Sequence, residues 1–161
     1  MDHEHVTAIQ AIQAILAPAL GISAVGLLLL MLNARYSTIV NRIRLLNDEK
    51  RRYARLIAEN VALSYSENAR YSSIRNQTDG LFMRSRLVRN AILLLHLGIT
   101  LFVIASLMIG MNFFFPSQAF YSITLLAFMA GLLCVVGGTI NAGLEIHRSF
   151  KIVVIEMKAE E

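Results

Sequence analysis

Val6–Leu32 carries no formal charge, and it runs without a break into a basic stretch that begins NARYSTIVNRIR (Asn33–Arg44). About 20 apolar residues cross a bilayer, so a run of this length suffices for one span with some tilt. The junction reads as a membrane helix that leaves the bilayer and continues into water as an amphipathic helix. Composition points the same way: 56% of the residues are apolar, 16% are charged and the mean hydropathy is +0.57. Those values do not suit an ordinary soluble domain, and 161 residues allow a single domain.

The chain opens MDHEH, acidic rather than basic, and its most apolar part, Gly26–Leu32, comes last in the run. A secretory leader has the reverse polarity, so a retained span is expected over about residues 7–33. Pro18 removes one backbone donor and is expected to bend the helix locally. Two further uncharged runs follow, Ala91–Phe115 and Ala119–Gly143, separated only by Pro116-Ser117-Gln118. They read as a second and a third span.

Residues 34–90 hold twelve Lys or Arg against five Asp or Glu. Ile39, Ile43, Leu46, Lys50, Tyr53 and Ile57 step by three and four, as do Tyr71, Ile74, Thr78, Leu81, Ser85 and Val88. That spacing is the seam of one helix packed on another, and Asp48 and Arg52 add an i,i+4 pair. The expectation is an antiparallel helical hairpin. Asn76–Gly80 has the best turn composition, but two arms of equal rise place the turn near 61–67 and leave Gly80 inside a helix. The tail, 144–161, suits a further helix with Phe150, Val153, Val154 and Met157 on one face.

The basic residues concentrate in 34–90 and the tail, while the N-terminus and the turn at 116–118 have none. The positive-inside rule then predicts an external N-terminus and a cytoplasmic C-terminus in a bacterial inner membrane. The expected fold is an all-α membrane protein: three transmembrane helices with a long cytoplasmic antiparallel hairpin between the first and second. Small residues recur at Ala14, Ala17, Gly21 and Ala24, and at Ala130, Cys134, Gly138 and Ala142. Such stripes let helices approach closely, within a subunit or across a homo-oligomer seam.

Glu145 is the ionisable residue nearest a span. It sits at the level of Asn33 and Arg35, so it is either ion-paired to Arg35, Arg89 or Arg148 or placed in a wet vestibule for a cation or proton. Asn33, Arg35, Asn41, Asn141, Glu145 and Arg148 form the candidate polar cluster at a cytoplasmic mouth. Arg84, Arg86 and Arg89 are candidates for lipid phosphate. His96 reads as a neutral, hydrogen-bonded histidine or as a proton relay. His3 and His5 have a spacing that can bind metal, but two ligands on a terminus make a weak site, and Cys134 reads as a small core residue. Lys50-Arg51-Arg52 is a solvated face before it is a lipid or nucleic-acid patch.

Phosphate loops, HExxH, nucleophile elbows and CxxC pairs are absent from the sequence. No enzyme, cofactor, metal or nucleic-acid partner is expected.

Two segments, IQAILAPALGISAVGLLLLMLNARYSTIVNRIR (Ile12–Arg44) and RSRLVRNAILLL (Arg84–Leu95), resemble a bacterial family of small membrane proteins defined only as a domain of unknown function. The resemblance covers about residues 9–155 and implies three spans with a helical cytoplasmic insert. It implies no activity, substrate or catalytic residue. The sequence therefore favours a homo-oligomeric channel-like or small-solute pathway, with a membrane scaffold that binds a protein partner or anionic lipid through the hairpin as the alternative.

Overall fold

A computed structural model describes residues 8–59, 64–115 and 117–159. These form three α-helices and no strand: α1 is Ala8–Ala58, α2 is Tyr65–Phe114 and α3 is Gln118–Ala159. Each contains an apolar window long enough to cross a bilayer, with mean hydropathies of 2.4, 2.6 and 2.3. The polar stretches on either side of residues 60–63 are continuations of α1 and α2, so no separate insert interrupts the helices. The tail likewise continues α3 rather than forming a helix of its own. The side chains of 150–159, with the expected face of Phe150, Val153, Val154 and Met157, lie outside the described residues, as do His3 and His5.

The start of α2 has a local cause. Ser64 Oγ accepts from the Glu67 amide at 3.3 Å, and Glu67 Oε2 accepts from the Ser64 amide at 2.8 Å. This reciprocal capping box satisfies two of the orphan donors that every helix N-terminus has. It pins the helix at Tyr65, inside the stretch where equal arms place the turn; residues 60–63 themselves lie outside the described residues. The segment Asn76–Gly80 stays helical, and Thr78 donates back to the Ile74 carbonyl at 2.7 Å.

The chain divides into two compact units: residues 1–32 with 90–141, and residues 33–89 with 142–161. In the first, the ring of Phe102 on α2 is buried between two glycines. A Cβ built on Gly21 of α1 would stand 3.0 Å from that ring, and one on Gly131 of α3 would stand 2.8 Å from it. Gly98 and Gly138 make the other close approaches of α2 and α3, the latter with Leu95 and the Ala91 carbonyl. Without side chains at these points the backbones come near enough for dispersion contacts to hold helices in a solvent that supplies no hydrophobic drive. Only part of each predicted small-residue stripe is used. Gly21 lies against Phe102 and Gly138 against Leu95, while Ala14, Ala17 and Ala24 face outward. Pro18 is buried within α1, which runs through it.

In the second unit, Leu46 and Tyr53 of α1 pack with Ile74 of α2, flanked by Leu56, Tyr71 and Leu81. The Tyr53 and Tyr71 rings meet edge to face at 6.3 Å. Leu56 turns inward and Ile57 outward, the drift expected of a 3.6-residue helix against a 3.5-residue repeat. Fourteen residues separate Arg35 from Glu49, and fourteen separate Arg70 from Arg84. Glu49 pairs with Arg70 while Arg35 and Arg84 share one partner, so the two arms are antiparallel and in register.

The glycine niche yields a direct test. Gly131→Ala pushes a methyl into a ring already held on its other side by Gly21, and should lower stability by about 1–3 kcal/mol. Gly110→Ala adds the same methyl where nothing lies within 4 Å and should be neutral or slightly stabilising. Thermal unfolding of both variants in one detergent checks the contrast.

Candidate functional site

The site is built where three helices of the second unit converge. Glu145 lies on α3, a seven-residue step beyond Gly138 and two such steps beyond Gly131, and all three are buried. Its side chain is 1% exposed. Arg35 Nε of α1 lies 2.9 Å from Oε2, and Arg84 Nε of α2 lies 3.0 Å from Oε1. Ser149, one turn along α3, donates its hydroxyl to Oε1 at 2.9 Å. The two arginine side chains are 34% and 25% exposed, so the carboxylate is enclosed while its partners are only partly so. Two positive charges on one negative leave the cluster with a surplus of one positive charge.

A buried carboxylate is tolerated when it is paired and its lone pairs are met, and removal of one member of such a group is strongly destabilising. Arginine suits the role because its charge does not titrate and its fork has donors to spare. Chemically, the arrangement is a clamp: one helix from each part of the chain is tied to a single anionic point. Glu145 is fully engaged by cations, which is the opposite of a carboxylate waiting for one.

The structure gathers only some of the residues singled out in the sequence. Arg35 and Glu145 meet as expected. Arg84, a lipid-phosphate candidate, turns inward to Glu145. Arg86 and Arg89 remain exposed, as does Arg148, although it is only three residues from Glu145. Asn33 and Asn41 are also exposed, and Asn141, in the first unit, donates to the Gly137 carbonyl of its own helix at 2.8 Å. His96 is exposed, with Nδ1 2.9 Å from the Ile92 carbonyl. Cys134 is half-buried. Among the described residues, no group of three or more His, Cys, Asp or Glu is placed to hold a metal ion. Arg84 was grouped with the lipid-phosphate candidates because the pattern of RSRLVR does not say which arginine of three faces the helix that arrives sixty residues later, and Ser149 was not singled out at all.

The second ion pair belongs to the hairpin. Arg70 donates through Nε to Glu49 Oε1 at 3.0 Å and through Nη2 to Oε2 at 3.1 Å. This fork holds the Glu49 carboxyl below the usual carboxylate range, first through the hydrogen bonds and then through charge.

Three long, continuous helices, each apolar enough to cross a bilayer and meeting at a buried ion cluster, define a helical multi-pass membrane protein. The chain belongs to the family described as Protein of unknown function (DUF2721), whose profile matches residues 15–155. No curated protein and no solved structure matches it.

Because the Glu49 pKa is depressed in the folded state, its contribution is present above the ordinary carboxylate range and is lost as pH falls through the depressed value. Wild-type protein and Glu49→Gln should therefore differ in melting temperature at about pH 7 and converge once the pH has fallen below the depressed Glu49 value. A difference that persists undiminished in acid would contradict this.

Proposed function

We propose that this protein is a membrane-anchored docking module rather than an enzyme. On this reading residues 34–90 stand in the cytoplasm, the N-terminus lies outside and the C-terminus inside, and the hairpin presents a basic surface to an acidic protein partner. One observation carries the reading. Leu46, Tyr53 and Ile74 are buried in the seam of the hairpin with Leu56, Tyr71 and Leu81 beside them, while Arg42, Arg44, Arg51, Arg52, Arg55 and Arg75 are all exposed. A helical pair whose exposed surface carries more basic than acidic side chains is suited to electrostatic capture and steering of a partner of opposite sign. The concentration of Lys and Arg in 34–90 supports the cytoplasmic placement.

A homo-oligomeric channel-like or small-solute pathway is the lesser reading. In its favour, Ala14, Ala17 and Ala24 face outward from α1 and could seat a second copy. Against it, the polar groups that would form a mouth are dispersed, and Glu145 is closed off by its two arginines.

Charge reversal tests the proposal. Arg51→Glu, Arg52→Glu and Arg55→Glu together should abolish crosslinking in cells to an acidic partner while leaving the melting temperature of the purified protein unchanged. An unaltered crosslinking pattern, or reaction of a cysteine placed at position 52 with an impermeant reagent added from outside, would overturn it.

A further inference from the structure

The Arg35–Glu145–Arg84 cluster is not balanced. In the same unit, Arg70 answers Glu49 one for one and spends two atoms of its fork, Nε and Nη2, on the two carboxylate oxygens. Glu145 instead divides its oxygens between two arginines, and both meet it at Nε, Arg35 at 2.9 Å from Oε2 and Arg84 at 3.0 Å from Oε1. Oε1 also accepts from the Ser149 hydroxyl at 2.9 Å. A guanidinium carries five N–H donors. Each arginine therefore keeps its Nη end after Glu145 has been answered, and the cluster keeps one positive charge. No second carboxylate lies nearby along the helices, since Glu145 is the only acidic residue among 33–45, 80–90 and 142–149.

Two cations drawn onto one anion repel each other, and a second anion shared by their remaining donors relieves that repulsion. Two guanidinium groups held by the two oxygens of one carboxylate stand close enough to be bridged by one small oxyanion. Phosphate suits them best. Its oxygens accept from a guanidinium in parallel, charge-assisted pairs, and the single charge of a phosphodiester equals the surplus. The cluster is also reachable, because the Arg35 and Arg84 side chains are 34% and 25% exposed. Its level is that of lipid phosphates. At 1.5 Å per residue, Arg35 stands about 4.5 Å beyond Leu32, where the first apolar run ends, and Glu145 about 3 Å beyond Gly143, where the third ends. The polar headgroup layer of a bilayer is about 5–8 Å thick on each side.

We infer that Arg35 and Arg84, held by Glu145, form a binding site for one phosphate group, supplied by an anionic phospholipid or by free phosphate. Glu145 is the positioning residue: it draws two arginines from two helices to one point and leaves their outer donors for the ligand. A zwitterionic lipid brings its own cation to the same place and gains less.

The test uses full-length protein in nanodiscs of phosphatidylcholine alone, of phosphatidylcholine with phosphatidylglycerol, and of phosphatidylcholine with inorganic phosphate in the buffer. Wild-type protein should melt higher in one or both of the last two than in the first, and sodium chloride at equal ionic strength should give no such rise. A rise with phosphatidylglycerol alone assigns the site to a lipid; a rise with inorganic phosphate assigns it to a free anion. Arg84→Gln removes the surplus charge and leaves the Arg35–Glu145 pair. It should lose most of the rise, with retention of the phosphate ligand in native mass spectrometry falling about five-fold. Arg51→Gln with Arg52→Gln, farther along α1, should keep the full rise. The inference is overturned if neither phosphate source raises the melting temperature, if sodium chloride reproduces the rise, if Arg84→Gln keeps it, or if the Arg51/Arg52 variant loses it as fully. Should Arg84→Gln fail to fold, Arg84→Lys, which keeps the pair with Glu145 but not the fork, decides by the same rise and retention.

Discussion

A carboxylate withdrawn from water must have its charge answered on the spot, and the Glu145 side chain is 1% exposed. That requirement fixes a great deal. It needs cations that do not titrate, and Arg35 and Arg84 supply them from two other helices. It needs those helices to present the arginines at one level, which sets the register of α1 against α2. The same register, carried fourteen residues along both arms, brings Glu49 to Arg70. A hydrophobic seam alone tolerates slippage by one repeat. A charged point does not, because a slip would leave an ion buried without its counterpart. Specificity of this kind is the best-attested use of a buried polar group.

The buried positions show how one helix serves two surroundings. On α1, Val25, Leu29, Leu32, Ile39, Ile43, Leu46 and Tyr53 are all buried, and on α2 Ile74, Thr78, Val88, Ala91, Leu95, Phe102 and Ala105 are. The heptad phase carries through where the apolar runs end, since Leu32 and Ile39 are seven residues apart and Val88 and Ala91 three. What changes is the filling. In the apolar part, glycines on one helix receive a ring or a leucine from another. In the polar part, tyrosines and branched aliphatics pack against one another. Close backbone approach is the means available where lipid competes equally for apolar side chains, and ordinary hydrophobic burial serves where water is the alternative.

Much of this was legible from the residues. Uncharged runs reveal three apolar helices, since a charge in lipid is expensive. The paired heptad series predicted most of the hairpin residues that turn inward, though Ile57 is exposed, and arm-length geometry rightly overrode the turn-like composition of Asn76–Gly80. Other features were hidden for physical reasons. Ser64 and Glu67 form a capping box whose spacing is visible in the sequence, but the apolar run that should follow such a box is replaced there by polar residues. The continuity of α3 through residue 143 was obscured by the change from apolar to charged composition, which marks a change of solvent and not of backbone. Asn33 and Asn41 were grouped with Glu145 by level along the helices alone, and level says nothing of angle. Arg84 was misgrouped with Arg86 and Arg89 for the same reason.

The central claim is that the Arg35–Glu145–Arg84 cluster holds the three helices of its unit together. A mutant cycle on thermal unfolding in a fixed detergent tests it. Glu145→Gln leaves two arginines facing each other without their anion and should cost about 1–3 kcal/mol, less than a fully buried pair because both arginine side chains are partly exposed. Arg84→Gln added to Glu145→Gln should then recover part of that loss, since it removes a repulsion. A Glu145→Gln protein as stable as wild type, or two substitutions whose effects simply add, would contradict the account.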